Sequence, residues 1–137
     1  MNKYREKLFT QIYNLASTLH DRFPDDLKIS LLLTTLQTLS KSTGGVKSIV
    51  DMFMIHIFLK KTVAGEKWID LIKRRDAIFF LEYDIGGSDS ELTNQMLYNL
   101  KNKWHILDAD EQLALWQYFD VCVLLGEKYL ASYSDKK

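Results

Sequence analysis

The chain has 137 residues, of which 47% are apolar and 26% are charged, and its formal net charge at pH 7 is zero. This length supports a hydrophobic core without metal or disulfide cross-links, and the composition excludes an intrinsically disordered chain. The single cysteine, Cys122, excludes an intramolecular disulfide, and the lack of an apolar run of about 18 residues predicts no membrane span.

The N-terminal half is predicted to form three helices. Apolar residues recur every three or four positions over about residues 3–21, which indicates an amphipathic first helix. Pro24 suits the first turn of a second helix that ends near Lys41. A third helix, Val46–Phe58, is apolar around most of its circumference, so we expect it to be central in the fold. The buried stripe of the second helix is expected to comprise Leu32, Leu33, Leu36 and Leu39.

The C-terminal half begins with two short predicted segments. Trp68–Ile72 reads as a short helix, and residues 76–84 favour a helical turn or two over a strand. The spacing of Ser88 and Glu91 is typical of a capping box, which predicts that a fifth helix starts there and continues to Trp104.

The last predicted helix runs from about Asp108 to about Ser132, because Asp108–Glu111 is a helix start signal. Gly126 lies inside this helix, where it suggests close approach by another helix or a local weakness. The expected buried residues of the helix are Leu113, Trp116, Phe119, Val123 and Leu130. Together the segments predict an all-α protein, a compact bundle of five or six helices that forms one domain over residues 1–137.

The sequence carries no recognisable catalytic or cofactor motif. Its two Gly-Gly pairs lack the spacing and the following Lys-Ser/Thr of a phosphate-binding loop. His20, His56 and His105 are far apart, and none has a partner at the spacing of metal ligands. Cys122 lies between two valines and is interpreted as a buried hydrophobic residue. We therefore predict a protein that is not an enzyme, with no catalytic residue, cofactor, metal site or small-molecule substrate.

A cluster of basic residues is the one candidate surface for a partner or for nucleic acid. A nucleic-acid-binding domain is normally markedly basic, whereas this chain has a pI near 6.8. A solvated helix end therefore explains the cluster better. The residues are Lys60, Lys61, Lys67, Lys73, Arg74 and Arg75.

Charge is unevenly distributed along the chain. Residues 1–75 hold 13 Lys/Arg and 7 Asp/Glu, a net charge of +6, while residues 76–137 hold 5 and 11, a net charge of −6. Such asymmetry could produce a bipolar surface that favours head-to-tail contacts. The alternative, which we favour, is that the two halves pack together and neutralise one another.

Several motifs resemble those of small helical proteins encoded by nucleocytoplasmic large DNA viruses, including viruses of algae and amoebae. Those proteins pair a segment like Arg75–Leu81 with a closing helix like Leu115–Leu125, and Phe23–Asp26 and Val46–Phe58 are also similar. Ala77 departs from the pattern, because an acidic residue is usual there. The resemblance implies a viral origin and presence in infected cells or in the particle, and it implies no catalytic residues, since that family has no established activity.

The expected function is that of a non-enzymatic helical interaction protein. It would be an adaptor or minor structural component of a large DNA virus, and it would bind protein partners, or itself, through an exposed helix face. Nucleic-acid binding through residues 60–75 is the alternative, and a viral mimic of a host helical regulator is a third hypothesis. The charged start of the chain lacks the apolar run of a signal peptide, so we expect the cytoplasm of the infected cell or the virion.

Overall fold

A computed structural model of the chain describes residues 3–62, 64–82 and 90–134. Over these ranges the protein is all-α, as predicted, with seven α-helices and no β-strand. The number exceeds the predicted five or six because the helical turn predicted within residues 76–84 forms a separate short helix, Ile78–Leu81. The helices are α1 (Lys3–Arg22), α2 (Leu27–Lys41), α3 (Gly45–Phe53), α4 (Trp68–Lys73), α5 (Ile78–Leu81), α6 (Glu91–Lys103) and α7 (Ala109–Ser134).

Helix α2 begins later than the sequence predicts. Pro24 lies outside the helix, and the first helical residue is Leu27. Asp26 is the N-cap: its Oδ1 accepts hydrogen bonds from the backbone N–H groups of Lys28 and Ile29 at 3.0 and 3.2 Å. An aspartate cap satisfies amides that have no partner within the helix, and it therefore fixes the start of α2 more strongly than proline does.

Asp26 also joins α2 to the end of α6. Its Oδ2 lies 2.7 Å from Nζ of Lys103, and both side chains are only 22% exposed. The hydrogen bond from Lys103 is the main reason that the pKa of Asp26 is lowered from its usual value, and the backbone donors at the cap act in the same direction. The carboxylate form of Asp26 is therefore stabilised in the folded protein.

Replacing Asp26 should destabilise the protein in a way that depends on pH. We expect Asp26→Ala to lower the free energy of unfolding by about 1–2 kcal/mol at pH 7, since it removes the cap and the contact with Lys103. Asp26→Asn keeps the cap and should cost less. Because the folded pKa is lowered, the advantage of wild type over Asp26→Asn should be full above the unfolded pKa and vanish as the pH falls through the folded pKa. Urea unfolding of the three proteins from pH 7 to pH 2 would measure this, and a constant difference would contradict it.

Helix α3 continues into a π-helical turn, Met54–Phe58. The turn is closed by a hydrogen bond from the backbone N–H of Leu59 to the carbonyl of Met54, at 2.9 Å. A π turn accommodates one extra residue and is often found at functional positions in helices. The buried side chains of α3 and the π turn contact α1, α2, α6 and α7, so this segment is central, as the sequence predicts.

Helix α4 ends in a Schellman motif that has arginine where glycine is usual. The amides of Arg75 and Asp76 donate to the carbonyls of Ile72 and Leu71 at 3.0 and 2.8 Å. Arg75 adopts a φ of 57°, in the left-handed region that normally favours glycine. The chain reverses here, and this reversal separates α4 from the single helical turn of α5.

The caps of the last two long helices differ in how well the sequence predicts them. Ser88 lies outside the described residues, and the observed N-cap of α6 is Ser90, whose Oγ accepts a hydrogen bond from the amide of Thr93 at 3.1 Å. Glu91 is therefore the first residue of α6 and not its capping partner. At the start of α7 the predicted signal is a reciprocal capping box, because Asp108 and Glu111 each accept a hydrogen bond from the other's amide, at 2.8 and 2.9 Å.

The buried side chains form one contiguous cluster, which α7 borders along its inner face. Helix α1 packs along α7, and it also contacts α2 and α3. Helix α6 packs against α2 and α3. Prediction of the α7 core was wrong at two residues: Leu113 and Leu130 are 41% and 38% exposed. In α2, Ile29 is buried, whereas Leu33 and Leu39 are only partly buried. The buried hydrophobic residues described in α7 are Leu115, Trp116, Phe119, Cys122, Val123, Leu125 and Tyr129.

Four aromatic residues of the segments that resemble viral proteins, Phe79, Phe80, Trp116 and Phe119, lie in this core. Phe80, Trp104 and Trp116 form edge-to-face contacts or tilted pairs, with ring centroids 5.0 Å apart for Phe80–Trp104 and 5.4 Å apart for Trp104–Trp116. Phe79 contacts both Phe80 and Phe119, at 4.9 and 5.6 Å. These residues pack α5 and α7 against each other and against the turn that follows α6. The motifs that they form are therefore explained by core packing and not by a binding site.

Candidate interaction surfaces

Three of the six predicted basic residues are neutralised by carboxylates within the protein. Arg75 Nη2 lies 2.9 Å from Oδ2 of Asp120 in α7, and Lys73 Nζ lies 3.7 Å from Oε2 of Glu127. Arg74 is bound by Glu66, with Asp76 at 3.5 Å, and Glu66 raises the pKa of the Arg74 guanidinium from its usual value. All three cations are exposed, as predicted for a solvated helix end.

These contacts also account for part of the charge asymmetry. The pairs Lys73–Glu127 and Arg75–Asp120 join the basic N-terminal half to the acidic α7. Arg22, at the end of α1, pairs with Glu111 at the start of α7. The two halves of the chain therefore neutralise one another at their contact, which is the distribution that we favoured from the sequence.

The other three predicted basic residues lie on the connection between the π turn and α4. Lys61 and Lys67 form an isolated antiparallel bridge, and the carbonyl of Lys60 accepts a hydrogen bond from the amide of Trp68 at 2.9 Å. Lys61 and Lys67 border a shallow groove of about 370 Å³ with a mainly apolar floor. The other lining residues are Phe58, Leu59, Ile69, Glu127 and Leu130. The six cations therefore differ in their pairing: Lys73, Arg74 and Arg75 form ion pairs, whereas the ion pairs of the described residues include none with Lys60, Lys61 or Lys67.

This difference in ion pairing predicts different effects for two triple variants, each of which removes three positive charges. Neutralising Lys73, Arg74 and Arg75 to glutamine should change nonspecific DNA binding by less than about twofold, because their charge is already balanced. It should lower the melting temperature at low salt, by an amount that shrinks as salt is added. Neutralising Lys60, Lys61 and Lys67 should weaken DNA binding more and affect the melting temperature less. Fluorescence anisotropy with duplex DNA and thermal melts would compare them, and the reverse ranking would show that residues 73–75 contact nucleic acid.

The outward side of α7 is apolar where a surface helix is normally polar. Leu113, Val121 and Leu124 are 41%, 39% and 53% exposed, and Gln117 lies among them. Their spacing places them on one side of the helix, at about 100° per residue. Asp110 and Lys128 lie at the two ends of the same side. We call these six residues the α7 outer face.

Packed elements define both edges of the α7 outer face. On one edge, Tyr118 Oη accepts a hydrogen bond from Thr18 of α1 at 3.2 Å, and Lys128 Nζ lies 5.9 Å from the centre of the Tyr4 ring. On the other edge are the ion pairs that Asp120 and Glu127 form with the end of α4. Between Asp110 and Lys128 the described chain places no charged side chain in the middle of this face. Leu113, Val121 and Leu124 therefore form an apolar strip, interrupted by the uncharged Gln117 and bordered by polar contacts, and such a strip is typical of a protein-binding surface.

A second exposed apolar pair lies at the start of α2. Leu27 and Leu31 are 84% and 56% exposed, beside a groove that also contains Lys28, Glu91 and Tyr98. Lys28 Nζ lies 2.5 Å from Tyr98 Oη, and this hydrogen bond is the main reason that the pKa of Tyr98 is lowered. The charged residues Lys28 and Glu91 lie within this surface, whereas among the described residues the middle of the α7 outer face contains no charged group.

The described residues include no group of three or more histidine, cysteine, aspartate or glutamate side chains that could hold a metal ion. Cys122 is 1% exposed, and burial raises the pKa of its thiol to about 12, so the thiol remains protonated at neutral pH. Of the histidines, His20 lies near Ser30 Oγ, at 3.5 Å, and His105 is exposed. These groups do not converge on a common site.

Within the described ranges, none of the helices combines the length and the apolar character required to cross a bilayer. The comparisons with known proteins give no relative: no family model, curated protein or solved structure matches this chain.

Proposed function

We propose that this protein is a non-enzymatic helical interaction protein that binds a protein partner through the α7 outer face. The observation that carries the proposal is the exposure of Leu113, Val121 and Leu124 along one side of a long helix whose opposite side is buried in the core. Exposed leucines in such a strip lose unfavourable contact with water when a partner covers them.

The rigidity of α7 supports the same proposal. Its inner side packs on the core through Leu115, Phe119 and Cys122, and a reciprocal capping box fixes its start. A binding surface on a packed helix is held in position before the partner arrives, which reduces the entropy lost on binding. The pattern also matches recognition of helical partners, in which apolar side chains repeat every three or four residues.

The charges favour this proposal over binding of nucleic acid. Lys73, Arg74 and Arg75 are ion-paired, and the adjoining α7 contributes the acidic residues Asp120 and Glu127 to the same surface. An acidic strip beside a basic one reduces the attraction for a polyanion. Lys60, Lys61 and Lys67 would then contribute only general, salt-sensitive attraction.

Site-specific photo-crosslinking tests the proposed surface. Benzoylphenylalanine introduced at Gln117, in the α7 outer face, should form discrete adducts with a protein partner in cells that produce the full chain. The same group at Thr38, an exposed position on α2, is the matched control and should not form them. The adducts should disappear with Leu124→Glu and persist with Leu59→Glu, since Leu59 is similarly exposed outside this face. Equal labelling from both positions would contradict the proposal.

We further propose that the chain is an adaptor or minor structural component of a large DNA virus, acting in the cytoplasm of the infected cell or in the virion. The support is the resemblance of Arg75–Leu81 and Leu115–Leu125 to proteins of such viruses. Quantitative mass spectrometry of purified virions and of infected-cell lysate distinguishes the two places. Stoichiometric recovery in particles indicates a structural component, and recovery only in the lysate indicates an intracellular adaptor. Absence from both would contradict a viral role.

A further inference from the structure

We infer that the partner of the α7 outer face is a second copy of this chain, bound so that the two α7 helices run antiparallel about a two-fold axis at the level of Phe119. This inference rests on the proposed function, because it names the occupant of the same surface. A second copy is favoured because the face is complementary to itself. When two copies meet with their α7 helices antiparallel, the charged and apolar groups of one face lie opposite suitable groups of the other.

The charged ends of the face give the orientation. Asp110 lies at one end and Lys128 at the other, and both are exposed. Neither forms an ion pair with another described residue, and the contact of Lys128 is with the ring of Tyr4. A two-fold axis across the helix would bring Asp110 of each copy opposite Lys128 of the other. A parallel arrangement would instead place like charges together, so the antiparallel one is favoured.

The apolar residues between these ends fit the same axis. The two-fold axis at Phe119 places Gln117 of each copy opposite Val121 of the other. It also places Leu124 of each copy beside Leu113 and Ala114 of the other. The most exposed leucine of the face, Leu124 at 53%, would therefore enter the space above a small residue, alanine. Large and small side chains that alternate across a helix pair allow close packing.

The size of the contact indicates a reversible dimer. From Asp110 to Lys128 the face is about 27 Å long, at the rise of an α-helix. A contact along one helix of this length lies at the small end of stable protein interfaces. We therefore expect both monomer and dimer at accessible concentrations, with the ends of α4 and α1 forming the rim.

Sedimentation of the full chain over roughly 1 μM to 1 mM tests the inference, since a weak dimer populates both species in this range. Wild type should show a monomer–dimer equilibrium. Leu124→Glu should weaken it by about 100-fold or more, because each dimer loses two leucine contacts and gains two charges. Leu59→Glu is the control, with a leucine 55% exposed outside the face, and should leave the equilibrium unchanged. Circular dichroism establishes that each variant is folded.

A charge-exchange series tests the antiparallel register. Asp110→Lys and Lys128→Asp should each weaken the dimer about fivefold, because each places like charges opposite one another twice per dimer. The double variant, Asp110→Lys with Lys128→Asp, should restore the wild-type affinity. A double variant no better than the singles overturns the register, as does a dimer that survives Leu124→Glu.

A monomeric wild type at every concentration overturns the inference of self-association. If photo-crosslinking at Gln117 then captures a different protein, the proposed function stands and only the identity of its partner changes. If Gln117 forms no adduct with any protein, the proposed function fails as well. The two failures are thus distinguished by one pair of measurements.

Discussion

Truncation of Trp116 to alanine should lower the free energy of unfolding by about 3–5 kcal/mol, the usual range for removal of a core aromatic side chain. Trp116 is only 7% exposed, and its ring lies 5.4 Å from Trp104 and 6.0 Å from Phe119, between ring centroids. The substitution leaves a cavity where α7, α5 and the turn after α6 meet. Neighbouring aromatic rings are large and rigid, and they can only partly fill that cavity.

Urea unfolding followed by far-ultraviolet circular dichroism would measure this change. The control is Gln117→Ala, the next residue on α7, which is exposed and should change stability by less than about 0.5 kcal/mol. A cost below about 1 kcal/mol for Trp116→Ala would mean that the ring is not packed in the core, and the fold described above would then be wrong at its centre.

The contact between Gly126 and the π turn should give a second large effect, which is largest as the coupling energy of a double-mutant cycle. A Cβ atom added at Gly126 would lie 2.7 Å from Cδ2 and Cε2 of Phe58 and 3.3 Å from Sδ of Met54. Phe58 is 5% exposed, so its ring has little room to move. Gly126→Ala gains about 1 kcal/mol of helix propensity, but overpacking of this kind typically costs about 1–3 kcal/mol, so we expect net destabilisation of about 1 kcal/mol.

Removal of the ring should reverse the sign of that effect. In a Phe58→Ala background the added methyl group meets no ring, and Gly126→Ala should stabilise the protein by about 1 kcal/mol. The coupling between the two substitutions should therefore be about 2 kcal/mol, measured by denaturant unfolding of all four proteins. Additive effects would mean that Phe58 does not lie against Gly126. A stabilising Gly126→Ala in wild type would lead to the same conclusion.

The identity and order of the helices follow from local sequence properties. Apolar residues repeating every three or four positions predicted α1, α2, α3, α6 and α7, and Asp108–Glu111 predicted the start of α7 because a capping box depends only on neighbouring residues. For Gly126 the sequence left two interpretations open, a close approach or a local weakness, and the structure shows a close approach, by Phe58 and Met54 of the π turn. The start of α2 was wrong because Pro24 and Asp26 are both typical start residues, and hydrogen-bond geometry decided between them.

The sequence predicted the candidate surfaces much less well than the helices, because the surfaces depend on tertiary structure. The sequence predicted six basic residues as one group, but Lys73, Arg74 and Arg75 are paired with acids, two of which are distant in the chain, and no local pattern shows such pairing. Leu113 shows the converse. Its spacing on α7 fits a buried stripe, yet it is exposed because α1 and α4 pack on the two sides of the helix and leave its outer side uncovered. The sequence by itself thus determined that this chain forms amphipathic helices and where most of them lie. Only the packing of those helices decided which apolar residues face solvent, because helical periodicity specifies that a residue lies on a face but not which neighbour covers it.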